Sequence, residues 1–151
     1  MPHTVRVSIT ESVEAPSDVV YGVLADYRRG HPHILPERHF SDFTVEEGGT
    51  GAGTIIRYKL RTAGNERTIR AVVHEPEPGR ILTETDLETG ALTTFRLEPA
   101  SGTAHTSLTI TTEWQSAGLR GFVERWLAPP LLRKIYREEV RKLNEFVRVR
   151  K

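Results

Sequence analysis

The chain has 151 residues, 37% of them apolar and 27% charged, with a formal net charge of +1. That is the composition of one globular domain with a single core. It has no cysteine, which excludes disulfides, thiolate metal sites and cysteine nucleophiles and suits a reducing cytoplasm.

The N-terminal residues lead straight into an alternating segment, without the apolar stretch of a secretion signal. Over Thr4–Val13, Val5, Val7 and Ile9 share one face while Arg6 and Ser8 share the other, so a half-buried strand is predicted. Ala15-Pro16-Ser17-Asp18 opens a helix, with proline near its first position and an acid in the first turn. Its expected apolar face is Val19, Val20, Val23, Leu24 and Tyr27, and Arg28-Arg29-Gly30 closes it. The following His31-Pro32-His33-Ile34-Leu35-Pro36 holds too much proline for more than a short helical turn.

Six further strands are predicted over 40–46, 54–61, 66–75, 80–86, 91–98 and 105–114. Each gap carries turn chemistry, including the run Gly48-Gly49-Thr50-Gly51-Ala52-Gly53 and the turn Pro76-Glu77-Pro78-Gly79. Connections this short make neighbouring strands antiparallel. From 117 to 148 the pattern changes to helical spacing. Leu119, Phe122, Val123, Trp126 and Leu127 come before Pro129-Pro130, and Leu131, Leu132, Ile135, Tyr136, Val140, Leu143 and Val147 come after. The two prolines divide the helix into segments over 119–127 and 131–148, either as a hinge or as a fixed bend matched to the sheet. Order and spacing give an α+β domain spanning 1–151, with helices on one face of a seven-stranded antiparallel sheet.

This order resembles the helix-grip fold of the START and Bet v 1-like (SRPBCC) superfamily, especially its polyketide cyclase/dehydratase-like branch. The resemblance is carried by Ala15-Pro16 at the start of the first helix and Leu24-Ala25-Asp26-Tyr27 at its end. The glycine-rich segment 47–54, the turn 76–80 and a proline-bearing final helix with a leucine/phenylalanine stripe add to it. It implies a curved sheet wrapped around the C-terminal helix, two short helices between the first two strands, and an internal cavity for a hydrophobic ligand.

Alternation points Ile56, Tyr58, Ile69, Phe95, Ile110, Thr112 and Trp114 inward, with Thr83 less firmly placed because Leu82 lies opposite. With Tyr27, Trp126 and Arg67 at one end and His33 at the rim, they make an apolar, aromatic lining with few polar anchors. Tyr58, Thr112 and His33 are the expected orienting groups. Alternation turns Arg57, Arg70, Glu84, Arg96 and Glu113 outward, and no catalytic constellation emerges. His31, His33 and His39 lack the spacing of a metal site, and no cofactor fingerprint is present. The glycine run precedes a strand and lacks a following Lys-Ser/Thr, so it suits a hairpin better than a phosphate loop.

Residues from 117 onward carry ten Lys/Arg against four Asp/Glu, which reads as a solvated helix face with Glu138 and Lys142 as an i,i+4 pair. The aromatics there sit on the apolar stripe and do not interleave with the basic residues, which argues against nucleic acid. No stretch is long and apolar enough for membrane insertion. The expected function is binding of a lipid, polyketide or isoprenoid type of molecule. A cyclase/dehydratase-like enzyme using the same cavity is the alternative, and a surface module acting through the basic helix is a third reading.

Overall fold

The computed structural model describes residues 4–62, 64–100, 104–115 and 129–149. Seven strands form one antiparallel sheet: β1 (Thr4–Val13), β2 (Phe40–Glu47), β3 (Ile55–Thr62), β4 (Asn65–Glu77), β5 (Ile81–Asp86), β6 (Leu92–Pro99) and β7 (Thr106–Gln115). Their spatial order is β1-β7-β6-β5-β4-β3-β2, so every neighbour but one is a sequence neighbour, and β1 closes the sheet against β7. The pairing follows the alternation of each strand. Val7 lies opposite Thr112 and Ile9 opposite Ile110 on the concave face. On the convex face, Ser8 meets Thr111 and Thr10 meets Thr109 through their hydroxyls, at 3.0 and 2.9 Å.

The two short helical pieces between β1 and β2 are α1 (Ser17–Ala25) and a single 3-10 turn, His31–Ile34. The predicted apolar face of α1 needs one correction. Val19 is 43% exposed, whereas Tyr21 is buried and donates its hydroxyl to Glu75 Oε2 at 2.6 Å. After α1 the chain turns tightly. The Gly30 and His31 amides both donate to the Asp26 carbonyl, at 3.0 and 2.8 Å, while Asp26 Oδ1 accepts from the Arg28 and Arg29 amides. A Cβ at Gly30 would stand 2.4 Å from the Val23 carbonyl oxygen, so only glycine lets the backbone pass this close. The turn sets Tyr27 and His31 side by side.

The long helix α2 (Pro129–Val149) begins with both prolines, in the first turn, where their missing amides leave no helical bond unmade. The predicted segment 119–127, with Trp126 and the bend between the two segments, lies outside the described residues. α2 lays Leu132, Ile135, Tyr136, Val140, Leu143 and Val147 into the concave face, packing on β1 and the 3-10 turn. Burial of each aliphatic side chain stabilises this docking by about 1.5–3 kcal/mol. Its end is fastened by Asn144, which accepts from the Glu14 amide at 2.8 Å and donates to the Ser12 carbonyl at 3.2 Å. Glu138 pairs with Arg38 near the 3-10 turn and not with Lys142 as its spacing suggests. The architecture is the helix grip.

The glycine-rich loop turns several of its amides to the protein's own acceptors: Gly51 N–H donates to the Ala25 carbonyl, Gly49 N–H to Thr54 Oγ1, and Ala52 N–H to Glu75 Oε1 at 2.8 Å. The anion in the loop is the protein's own Glu75. Gly51 has φ +63°, and a Cβ there would lie 2.3 Å from Glu75 Oε1.

Candidate functional site

Between the middle of the sheet and α2 the side chains do not close completely. Two adjoining cavities share Phe40, Tyr58, Glu84, Thr93 and Tyr136 in their walls. The centre of a water-sized sphere can move through about 40 Å³ of one and 60 Å³ of the other. Each is several times the roughly 10–15 Å³ one water needs on this measure. Ile56, Phe95, Phe43 and Leu35 complete one wall, and Leu60, Ile69, Ala71, Leu132 and Ile135 complete the other.

Of the predicted lining, Ile56, Tyr58, Ile69, Phe95 and Thr112 meet at this space. Thr112 shares a hydrogen bond with Tyr136 and another, at 2.8 Å, with Thr93. Tyr27 stands behind the wall, with its hydroxyl donating to Glu84 Oε2 at 2.7 Å. Arg67 lies at one end, its Nη1 2.9 Å from Asp86 Oδ2 and its Nη2 3.5 Å from Glu88 Oε1. Ile110 and Trp114 pack in the core but are not among the described lining residues. Two placements are corrected. Thr83 faces the convex side, because on β5 it is Leu82, Glu84 and Asp86 that point inward. His33 is exposed and stacks on Phe146, with ring centroids 5.3 Å apart. The histidine facing the interior is His31, since the 3-10 turn sends residues two apart in opposite directions.

The polar content of the cavity is the main departure from the sequence reading. His31 is 2% exposed, and its Nδ1 lies 2.8 Å from the Leu24 carbonyl oxygen. A carbonyl can only accept, so Nδ1 carries a proton and Nε2 faces Glu84 Oε2 at 3.5 Å. The ring is held between Tyr27, stacked at 4.6 Å, and Phe95, edge-on at 5.5 Å. On α2, Glu139 is 3% exposed and lines the same cavity as Glu84. Burial, and then the charge of Glu84, raise its pKa well above the usual carboxylate range. Burial followed by the Glu84 charge likewise keeps the Tyr27 and Tyr58 phenols neutral. Burial does the same for Tyr136. The cavity therefore presents a carboxylic acid that keeps its proton, a second carboxyl braced by Tyr27 and His31, and two phenols able to donate.

Signals for these residues exist in the sequence. Glu139 sits four residues after Ile135, three after Tyr136 and four before Leu143, squarely on the apolar stripe. Phe40 and Phe43, three apart on a strand, share a face only because β2 shifts register between Ser41 and Thr44, with Asp42 at φ +54°. Glu84 was hidden by β5, where the apolar Leu82 and Ile81 sit on opposite faces and alternation carries no net sign.

A curved antiparallel sheet closed by one long helix over an aromatic-walled cavity defines a helix-grip ligand-cavity protein. Residues 4–147 match the family model for "Polyketide cyclase / dehydrase and lipid transport", and the chain belongs to that family. Its fold is shared by the NMR solution structure of KanY protein (ms6282), at 30% identity over 97% of this chain and 99% of that one, with a TM-score of 0.83. The Zhui aromatase/cyclase from Streptomyces sp. R1128 is similar at 24% identity, covering 95% of this chain and 90% of that one, TM-score 0.66. A START superfamily protein from Mycobacterium smegmatis agrees in fold at 16% identity, 97% and 99% coverage and TM-score 0.72. No curated protein matches the chain in sequence.

Proposed function

We propose that this protein binds an apolar or aromatic small molecule, of lipid, polyketide or isoprenoid type, between the sheet and α2. The cysteine-free composition supports action in a reducing cytoplasm. No described helix is long and apolar enough to cross a membrane. The observation that carries the binding reading is the unfilled, aromatic-walled interior, since protein cores are otherwise close-packed. Each 100 Å² of apolar ligand surface removed from water contributes about 2.5 kcal/mol. Tyr58, Thr112 and Tyr136 supply the sparse hydroxyls that orient it. The test is uptake of the fluorescent probe ANS by the native protein, with displacement by a lipid extract of the host. Fluorescence enhancement reversed by the extract supports the reading, and a native protein that takes up no apolar probe refutes it.

A second reading, a cyclase/dehydratase-like enzyme using the same cavity, is favoured by one observation. Two carboxyls in unlike environments, Glu84 and Glu139, face the space a ligand would fill. Turnover of aromatic polyketide precursors, lost in Glu84→Gln, is the supporting outcome; unchanged rates in the variant remove it.

A further inference from the structure

Apart from the His31 imidazole, the groups in the cavity walls able to carry charge at neutral pH are acidic. Glu84, Asp86 and Glu139 face the space, and no lysine or arginine does so among the described lining residues. Asp86 is already matched, by Arg67 Nη1 at 2.9 Å and by the Glu88 and Thr89 amides. Glu84 and Glu139 are not. Tyr27 donates to Glu84 Oε2 at 2.7 Å and His31 Nε2 stands 3.5 Å from the same atom, which leaves Oε1 without a hydrogen bond among the described residues. Glu139, on the facing helix, is 3% exposed and makes no hydrogen bond among those residues. Buried carboxyls are ordinarily paired, so a cavity that keeps two without a full counter-charge is shaped for a ligand that brings one. Phe40, Phe43, Tyr58, Phe95 and Tyr136 wall the same space, and aromatic faces attract cations through the ring quadrupole.

We propose that the cavity recognises an organic ammonium ion: an apolar or aromatic body whose protonated amine sits between Glu84 and Glu139. The inference rests on the binding reading and adds the charge of the ligand. The body lies against the apolar wall of Leu60, Ile69 and Leu132, and the N–H donors of the amine reach the two carboxyls. Without a cation beside it, burial and then the Glu84 charge keep a proton on Glu139. A cation between the carboxyls favours the ionised form, so Glu139 releases its proton to solvent as the ligand binds. The other titratable groups around this space are Glu84 and Asp86 on β5, His31 on the 3-10 turn, Tyr58 on β3 and Tyr136 on α2, with Arg67 on β4 behind Asp86. Burial keeps both phenols neutral, Asp86 is paired, and His31 is held between the Leu24 carbonyl and Glu84, so the proton that moves is that of Glu139.

The experiment compares 2-aminoindane, a cation at neutral pH, with indane, the same rings without the amine. Affinities come from displacement of the uncharged dye Nile red, and proton release from calorimetry in phosphate and in Tris, whose ionisation enthalpies differ. The expected result is an affinity for 2-aminoindane at least about tenfold above that for indane, with proton release on binding. Glu84→Gln and Glu139→Gln, each checked for folding by circular dichroism, should lose most of this preference, and Glu139→Gln should also lose the proton release. Indane bound as tightly as 2-aminoindane by the wild type overturns the proposal without recourse to a variant and leaves the binding reading standing. A preference undiminished in either variant overturns it too, because the amine is then held elsewhere. Proton release absent from the wild type, or unchanged in Glu139→Gln, overturns the pairing with Glu139. If Nile red enters and neither compound displaces it, the ammonium assignment fails and the binding reading stands; if Nile red does not enter, both fail.

Discussion

Replacing Glu139 with glutamine turns the proton on this side chain into a measurable stability difference. In the native protein, burial and the Glu84 charge keep the carboxyl protonated well above the usual carboxylate range. In the unfolded chain it ionises at about 4.3. Between those two points the folded state holds one more proton than the unfolded state, so rising pH favours unfolding and native stability falls. The stability from this group is complete below the unfolded value and is lost as pH climbs toward the folded one. Each pH unit inside that window removes about 1.4 kcal/mol, and two units remove about 2.7 kcal/mol. Glutamine has no proton to lose, so the pH dependence of the difference between the two proteins reads the Glu139 proton together with its coupling to Glu84. At about 2–4 °C per kcal/mol for a domain of this size, two units separate the melting temperatures by roughly 5–10 °C. Thermal or urea unfolding of both proteins at pH 5, 6 and 7 reads the effect. The variant should gain steadily on the wild type as pH rises. A difference independent of pH would show that Glu139 is not protonated in the fold, and a difference of opposite slope would show that it is held ionised.

Arg67→Met strips Asp86 of its nearly buried partner, with side chains 8% and 9% exposed, and such losses run to about 3–5 kcal/mol. The low end is expected, because the Glu88 and Thr89 amides still donate to Asp86, and adding Asp86→Asn should recover most of the loss in urea unfolding. Gly51→Ala should cost more than Gly79→Ala, although both have positive φ, because only Gly51 abuts the Glu75 carboxylate. The shared backbone strain is about 1 kcal/mol, and equal midpoints in the two variants would contradict the packing of that loop. Tyr27→Phe removes the 2.7 Å donor to Glu84 and should lower stability by about 1–3 kcal/mol; no change in the unfolding midpoint would count against that bond.

How far the sequence reached depends on the local pattern. Strict alternation in β3, β6 and β7 placed Tyr58, Phe95 and Thr112 correctly, because one face of each strand is consistently apolar. On β5 the pattern is mixed, and the inward face turned out to carry Glu84 and Asp86 beside Leu82. Alternation assigns charge outward by default, so a carboxyl sheltered by Tyr27 and His31, both distant in sequence, is invisible to it. The exposed His33 and buried His31 differ only through the 3-10 turn set up by Asp26 and Gly30, a feature of tertiary packing and not of composition. Glu139 was the legible exception. Its helical position marked it as inward, and its charge made it easy to pass over.

The central claim is that a small molecule occupies the space between the sheet and α2. Intermolecular NOEs from a bound aromatic probe to isotope-labelled protein measure this directly. The expected pattern connects the probe to Tyr58, Phe95 and Tyr136 together, residues from β3, β6 and α2 that only the interior brings within reach. NOEs confined to exposed side chains such as Val19 and Leu87, or none at saturating probe, would contradict it.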